Sequence, residues 1–372
     1  MERGLRTLLP VVVAVVSLGL CGAALAGSGD DKPSGDKGDK SGGDKGGKAA
    51  KSLQAKLDKG GTIVLAKLAG GACYQTQGLW VSRSNTTITS NDGACVQYTG
   101  PGPVRLTSDD GDPIPADAIF FVNRSSRNDS LPQHVTIRNL KLIVPAGGPD
   151  GYGVVAAGGD VTLDGLKIQG SPVDAVQVTP RANGRGYAGP VTIKNGKFTA
   201  ARRNGISVVG AVGVTIDSNR ISGAGNPSLL GPLGPTLVAT TGPWAGIDVE
   251  PNVFTYPIRN VTISRNTIVD NGGAGVLLAL STNEALPTVA DQITVTANTI
   301  SNNAKSYGPF LRGGICLQGG QADGLGHLTV TTNTITDNGG YGLCKHAFDG
   351  YTMQLAVSGN VFARNELGDS EW

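Results

Sequence analysis

Short runs of alternating apolar and polar residues dominate the chain from about residue 62 onward. The commonest run reads V-T-I or a near variant, followed by a turn and another short apolar pair. Copies begin at Val135 (VTIRNLKL), Val161 (VTLDGLKI), Val191 (VTIKNGKF), Val214 (VTIDSNRI), Val261 (VTISRNTI), Ile293 (ITVTANTI), Leu328 (LTVTTNTI) and Leu355 (LAVSGNVF). A second run of the type G-I-x-V follows within each copy, as in GISVV at Gly205, GIDVE at Gly246, GICLQ at Gly314 and GLCKH at Gly342, with an AVQVT variant at Ala175. Period-two alternation over four or five residues predicts strands, two or three per copy. Successive copies lie 26, 30, 23, 47, 32, 35 and 27 residues apart. No copy holds a helical stretch, which excludes β/α solenoids. A unit this short cannot close a core alone. Stacked, each strand pairs in parallel with its copy in the next coil, about 4.8 Å away. The pattern therefore predicts an all-β, single-domain parallel β-helix of about ten coils.

Asparagine strengthens that reading. It stands five residues after the repeat start at Asn219, Asn266, Asn298, Asn333 and Asn360. A second series follows at Asn271, Asn303, Asn338 and Asn365. Asn tolerates left-handed backbone at turns, and its amide can bond the equivalent Asn one coil away. Composition agrees: 57 Gly and 20 Pro with only 5% aromatic residues suit many short strands and turns, and exclude a helical bundle.

The N-terminus reads separately. Arg3 and Arg6 precede an uncharged stretch ending in Ala24-Leu25-Ala26, the layout of a secretory signal peptide (residues 1–26) cleaved after Ala26. An uncleaved membrane anchor is the other reading of that stretch. Residues 27–49 are Gly/Ser/Asp/Lys repeats with no large apolar side chain, which predicts a flexible tether ahead of a domain spanning 50–372. From Gly60 onward 21 Lys+Arg stand against 22 Asp+Glu, a net of −1. With no basic field, nucleic acid is not an expected partner, and no membrane span remains after cleavage.

The domain resembles the right-handed parallel β-helix (pectate-lyase-like) superfamily over about Ser52 to Arg364. The resemblance includes the entry segment SLQAKLDKGGTIVLA, where that superfamily places a short helix (Ala50–Leu57 here) over the open end of the core. Cys316 in GICLQ and Cys344 in GLCKH share a strand position one coil apart, and Cys73 and Cys95 also lie about one coil apart. Stacking brings each pair within disulfide range, so both pairs are expected to be bonded.

Loop lengths point to one region for chemistry. The usual step from V-T-I…I to the next G-I-x-V run is seven residues, yet it is 25 from Ile221 to Gly246. That longest loop delivers the chain into W-A-G-I-D-V-E-P-N. With Ile247 and Val249 facing the core, Trp244, Asp248 and Glu250 are expected on the outer face. Asp248 and Glu250 are the candidate catalytic acids. Trp244 is a candidate sugar platform, or else it is pinned under its own loop. Arg203 and Arg312 occupy the position equivalent to Trp244 and suit an acidic sugar. Gln318 and His346 extend the Glu250 column as further substrate contacts, with Lys345 beside them. G-I-D-V-E-P is similar to the G-F-D-P-H-[DE] run of mannuronan C5-epimerases, which places Asp248 on the catalytic Asp. The match departs at Glu250, where that family has His, and no Tyr precedes Gly246. The pectate lyase R-x-P-x-x-R and the polygalacturonase G-H-G and R-I-K runs are absent.

Asp109, Asp110 and Asp112, with Asp117, form the one candidate Ca²⁺ cluster, or an acidic surface turn. No cofactor is otherwise implied. Two readings follow. The first is an exported protein acting on extracellular polysaccharide, with uronans among the candidates, as a lyase, hydrolase or epimerase. The other is a non-catalytic envelope or surface β-helix that binds glycan or protein.

Overall fold

The computed structural model describes residues 52–107, 113–124, 126, 129–145, 151–180, 188–226, 242–251, 257–280, 290–305, 312–319, 326–346 and 353–371. The expected signal peptide, the tether and Asp109, Asp110 and Asp112 lie outside these residues. No helix among the described residues is long and apolar enough to cross a membrane.

Three parallel sheets of ten strands each run the length of the domain. Each coil contributes one strand to each sheet, so the V-T-I run and the apolar pair after its turn are separate strands. The first sheet starts at Thr62–Val64 and ends at Gln354–Ser358. The second starts at Tyr74–Thr76 and ends at Val361–Ala363. The third, built from the G-I-x-V runs, starts at Leu79–Val81 and ends at Gly368–Ser370.

Strands stack in strict register. In the first sheet Val135, Val161, Val191, Val214, Val261, Ile293, Leu328 and Leu355 follow one another rung by rung. This column points inward, and its members from Val135 to Leu328 are buried. The second sheet stacks Leu142, Ile168, Phe198, Ile221, Ile268, Ile300 and Ile335 inward in the same way. Burying each such side chain stabilises by about 1.5–3 kcal/mol.

The asparagine ladders form at both corners of the second sheet. Asn219 Nδ2 donates to Asn266 Oδ1 at 3.0 Å, and the chain of amides continues through Asn298 and Asn333 to Asn360. The second ladder runs Asn271, Asn303, Asn338, Asn365. Each amide oxygen also accepts the backbone N–H of the Asn before it, as Asn298 does for Asn266 at 2.9 Å. The left-handed residue of each corner is not the ladder Asn itself, as the sequence suggested, but the one before it: Ser218, Arg265, Ala297 and Thr332 have φ of 54–56°. The ladder position thus selects Asn for its amide. In earlier coils, where Leu140 and Leu166 fill that position with apolar burial, Asn139 takes the left-handed place instead.

Glycine opens most third-sheet strands because coils approach closely there. A Cβ on Gly246 would overlap Ile268 Cγ2 and crowd the carbonyl of Gly275, and Gly205, Gly275 and Gly314 repeat the constraint.

The two ends differ. A short helix at 52–57 buries Leu53 and Leu57 over the first coil. At the other end Val357, Val361 and Leu367 are 43%, 60% and 61% exposed, and Trp372 lies outside the described residues. Both disulfides are present, Cys73–Cys95 and Cys316–Cys344, each with Cα atoms 4.5 Å apart.

Replacing Asn298 by Ala removes the acceptor of two Asn266 donors and the donor to the Ile263 carbonyl. The expected loss is about 3 kcal/mol or more in urea unfolding, with a smaller loss for Asn360→Ala at the half-buried end of the ladder. Replacing Cys316 and Cys344 together by Ala opens a loop of 28 residues. It should destabilise by about 3–4 kcal/mol, which differential calorimetry with and without reductant would read.

Candidate active site

Outward-facing residues of the third sheet form one column: Trp80, Phe121, Val155, Gln177, Ser207, Asp248, Leu277, Cys316 and Cys344. All nine are buried. At one end a hairpin, Val104–Thr107 paired with Pro113–Pro115, lays Leu106 and Ile114 over Trp80, Phe121 and Val155. Towards the other end Leu277 packs with the Cys316–Cys344 pair and three alanines, Ala245, Ala274 and Ala279. Between these apolar patches the column is polar: Gln177, Ser207 and Asp248 on three successive rungs.

Asp248 is 3% exposed. Its Oδ2 accepts from Asn204 Nδ2 at 3.0 Å, while Oδ1 is buried with no hydrogen-bond partner among the described residues. Asn204 is fully engaged. Its Nδ2 also meets Ser207 Oγ at 3.1 Å, and its Oδ1 accepts the Ala245 N–H at 2.9 Å. One coil earlier, buried Asp174 accepts the Asn204 N–H at 3.0 Å. Asp174 also accepts a fork from Arg203, with Nε at 2.8 Å and Nη2 at 2.5 Å. A bidentate, charge-assisted pair of this kind locks the guanidinium in one orientation.

Burial raises the Asp248 carboxyl well above the usual carboxylate range, and the charges of Glu250 and Asp174 add to the rise, against the opposing pull of Arg203. Glu250 is raised as well, first by burial and then by Asp174, with Arg203 again opposing. Burial alone would disfavour the Arg203 cation, but the Asp174 carboxylate outweighs it and holds Arg203 above its ordinary value. Neighbouring carboxyls, one buried and one half-buried, cannot both ionise cheaply, so the pair titrates as a unit and retains a proton beyond the usual range.

Asp248, Glu250 and Arg203 therefore share one electrostatic environment. The other residues singled out from the sequence sit elsewhere. Arg312 donates from Nε to the Ala304 carbonyl at 3.3 Å. It lies three rungs from Arg203, about 14 Å along the axis. Gln318 stands two rungs from the Glu250 level and His346 three, in register with each other. Lys345 registers with Leu317 and so with the inward series, not with the outer column. Trp244 takes a left-handed φ of 55° and is half-buried, with its indole against the backbones of Gly225 and Gly242. Among the described residues no group of three or more His, Cys, Asp or Glu is placed to hold a metal.

Asp174, Asn204, Ser207 and Gln177 escaped the sequence reading. A signal existed: Asp174 and Asn204 hold the place two residues before a third-sheet strand, where later coils carry Ala245 and Ala274.

No curated protein matches the sequence significantly. Among solved structures, a tailspike protein, gp49 of Acinetobacter baumannii bacteriophage Fri1, described as a capsular polysaccharide depolymerase, is 14% identical. That match covers 86% of this chain and 60% of the tailspike, with a TM-score of 0.45. The A-module of the Azotobacter vinelandii mannuronan C-5 epimerase AlgE4 is 16% identical over 87% of this chain and 93% of its own, with a TM-score of 0.40. The Streptococcus pneumoniae surface protein and adhesin PfbA is 15% identical over 86% and 94%, with a TM-score of 0.42. A family model described as a right-handed beta helix region matches residues 118–362, or 245 of 372. Three in-step parallel sheets and a sequence match over about two thirds of its length make this chain a member of the right-handed β-helix family.

Proposed function

We propose that the protein is an exported enzyme that acts on extracellular polysaccharide by acid–base chemistry at Asp248 and Glu250. The observation that supports this most is Asp248 itself. It is a buried carboxyl raised well above its ordinary range, held through one oxygen by Asn204, with the other oxygen unengaged among the described residues. Most buried side-chain polar atoms are hydrogen-bonded. Strongly perturbed carboxyls of this kind cluster at functional sites.

The division of labour follows from the hydrogen bonds. Because Oδ2 accepts from Asn204, the proton of the neutral acid sits on Oδ1. Asp248 is then the proton donor. Glu250, less buried and two residues on, is the proton acceptor. On a uronan, Glu250 removes the proton at C5, and Asp248 protonates the leaving glycosidic oxygen or returns a proton to C5. On a neutral glycan the same pair would serve hydrolysis, with Asp248 protonating the leaving oxygen. Arg203 spends Nε and Nη2 on Asp174, which leaves Nη1 for a substrate carboxylate.

One observation favours a second reading, a non-catalytic surface protein binding glycan or protein. The Asp174–Arg203–Asn204 network closes on itself, and Asp248 is almost wholly buried. The two readings part on turnover. A panel of uronans and neutral glycans would be followed for reducing ends, unsaturated products and C5 inversion. On the catalytic reading, Asp248→Asn and Glu250→Gln each lower kcat at least about a hundredfold with folding intact. No turnover on any glycan, or turnover indifferent to both substitutions, refutes it.

A linked effect on stability is expected. A carboxyl whose folded pKa is raised binds its proton more tightly in the folded state. Its contribution is therefore present at low pH, and declines as pH rises from the unfolded value of about 3.9 through the raised folded value. Asp248→Asn removes that decline, so the variant should melt above the wild type at neutral and alkaline pH and lose the advantage near pH 4. Thermal melts across pH would read this without any substrate.

A further inference from the structure

The second sheet carries an outward column that the proposed chemistry does not use. Lys141, Lys167, Lys197 and Arg220 stand directly above one another on four successive rungs. All four are exposed. Adjacent rungs are about 4.8 Å apart, so the cations span about 14 Å in a straight line. The column is bounded: Cys95 of a disulfide precedes it, and Thr267, Thr299 and Thr334 follow.

Like charges placed opposite one another across strands are destabilising, and parallel stacking forces that placement here. Counter-charges would relieve it, but the described acids of these coils are committed elsewhere. Asp164 takes the Asn195 amide at 2.8 Å and Lys194 at 3.7 Å. Asp217 takes Arg265 and Ser264, each at 2.7 Å. Asp174 holds Arg203. Among the described residues none of the four stripe cations makes an ion pair.

From this arrangement we infer that the second sheet is a docking face for a linear polyanion, an acidic polysaccharide lying along the solenoid axis with its carboxylates over the four cations. The stripe is one side chain wide, which fits a single chain with one carboxylate per sugar. A nucleic-acid duplex, with two phosphate strands, or a membrane surface would call for a broad basic patch. Beside the cations run Gln169, Thr199 and Ser222, in register on the same face. Their amide and hydroxyls suit sugar hydroxyls. Arg220 at one end can take a carboxylate through two parallel bonds. This face does not depend on the acid pair: it would anchor a polymer whether or not Asp248 and Glu250 are catalytic.

The test is binding of the full chain to fluorescently labelled polygalacturonate and polymannuronate. Neutral dextran, duplex DNA and phosphatidylglycerol vesicles would run in parallel at matched salt. Polyuronate should bind and dextran should not. The slope of log affinity on log salt should lie near −3, as about 0.7 per neutralised charge implies for four contacts on a single-stranded polyanion. Each single Lys→Gln should weaken binding roughly two- to five-fold. The quadruple variant K141Q/K167Q/K197Q/R220Q should lose at least tenfold and most of the salt slope, with its thermal midpoint unchanged or raised. Unaltered polyuronate affinity in the folded quadruple variant overturns the assignment. Tighter binding of DNA or vesicles than of polyuronate at the same salt also overturns it and gives the stripe to that class of ligand.

Discussion

A side-chain amide that reaches one rung along the axis and no further sets the terms for the rest of this structure. Parallel coils repeat at about 4.8 Å, and an Asn oxygen accepting both the backbone N–H and the amide of its neighbour tolerates little departure from that repeat. Buried polar corners are thereby satisfied without water. Inward columns of Val, Ile and Leu can then stack like on like. Register error is suppressed twice over, because a slip would break the ladder and turn apolar side chains outward.

Strict stacking also governs where polarity can be placed. On the inward side the rungs are apolar up to the last coils, where Lys345 and Ser370 enter the inward series. Outside, residues on successive rungs are forced into contact whether or not they suit one another. Where they do suit, the outer column of the third sheet builds the Trp80–Phe121 ring contact, with centroids 4.6 Å apart, and the Cys316–Cys344 bond. Where they do not, the molecule carries uncompensated polarity: two buried carboxyls and a half-buried one near one cation, and four lysine and arginine side chains in line. A solenoid pays little for such features, since each rung contacts only its neighbours and stability accumulates from the remainder.

Arg203 illustrates how one rung acts on the next. Its partner Asp174 lies one coil back and Asp248 one coil ahead, and Asn204 bridges the two acids through its backbone N–H and its amide. Three rungs are thus joined by one short polar path between two apolar patches. Low dielectric around that path strengthens each of its hydrogen bonds, and burial there raises Asp248 and Glu250.

Periodicity along the chain was sufficient to establish the coil number, the strand pattern, the two ladders and both cysteine pairs, because in a solenoid spatial neighbours are the same repeat position one period away. That Asp248, Glu250 and Arg203 stand on neighbouring rungs was legible for the same reason. Other features depended on distances that no repeat position encodes. Asp174 and Asn204 look like ordinary turn residues until the corner folds them against Arg203 and Asp248. The left-handed residue proved to be the one before each ladder Asn, since the bend and the amide make separate demands. Arg312, Gln318 and His346 share columns with the site, but the axial rise carries them two or three rungs away. Sequence thus determined which residues lie in one column. Tertiary structure alone decided how far apart they stand, which side chains turn across a corner to meet, and which charges burial would perturb, because those depend on path lengths through space and not on the period.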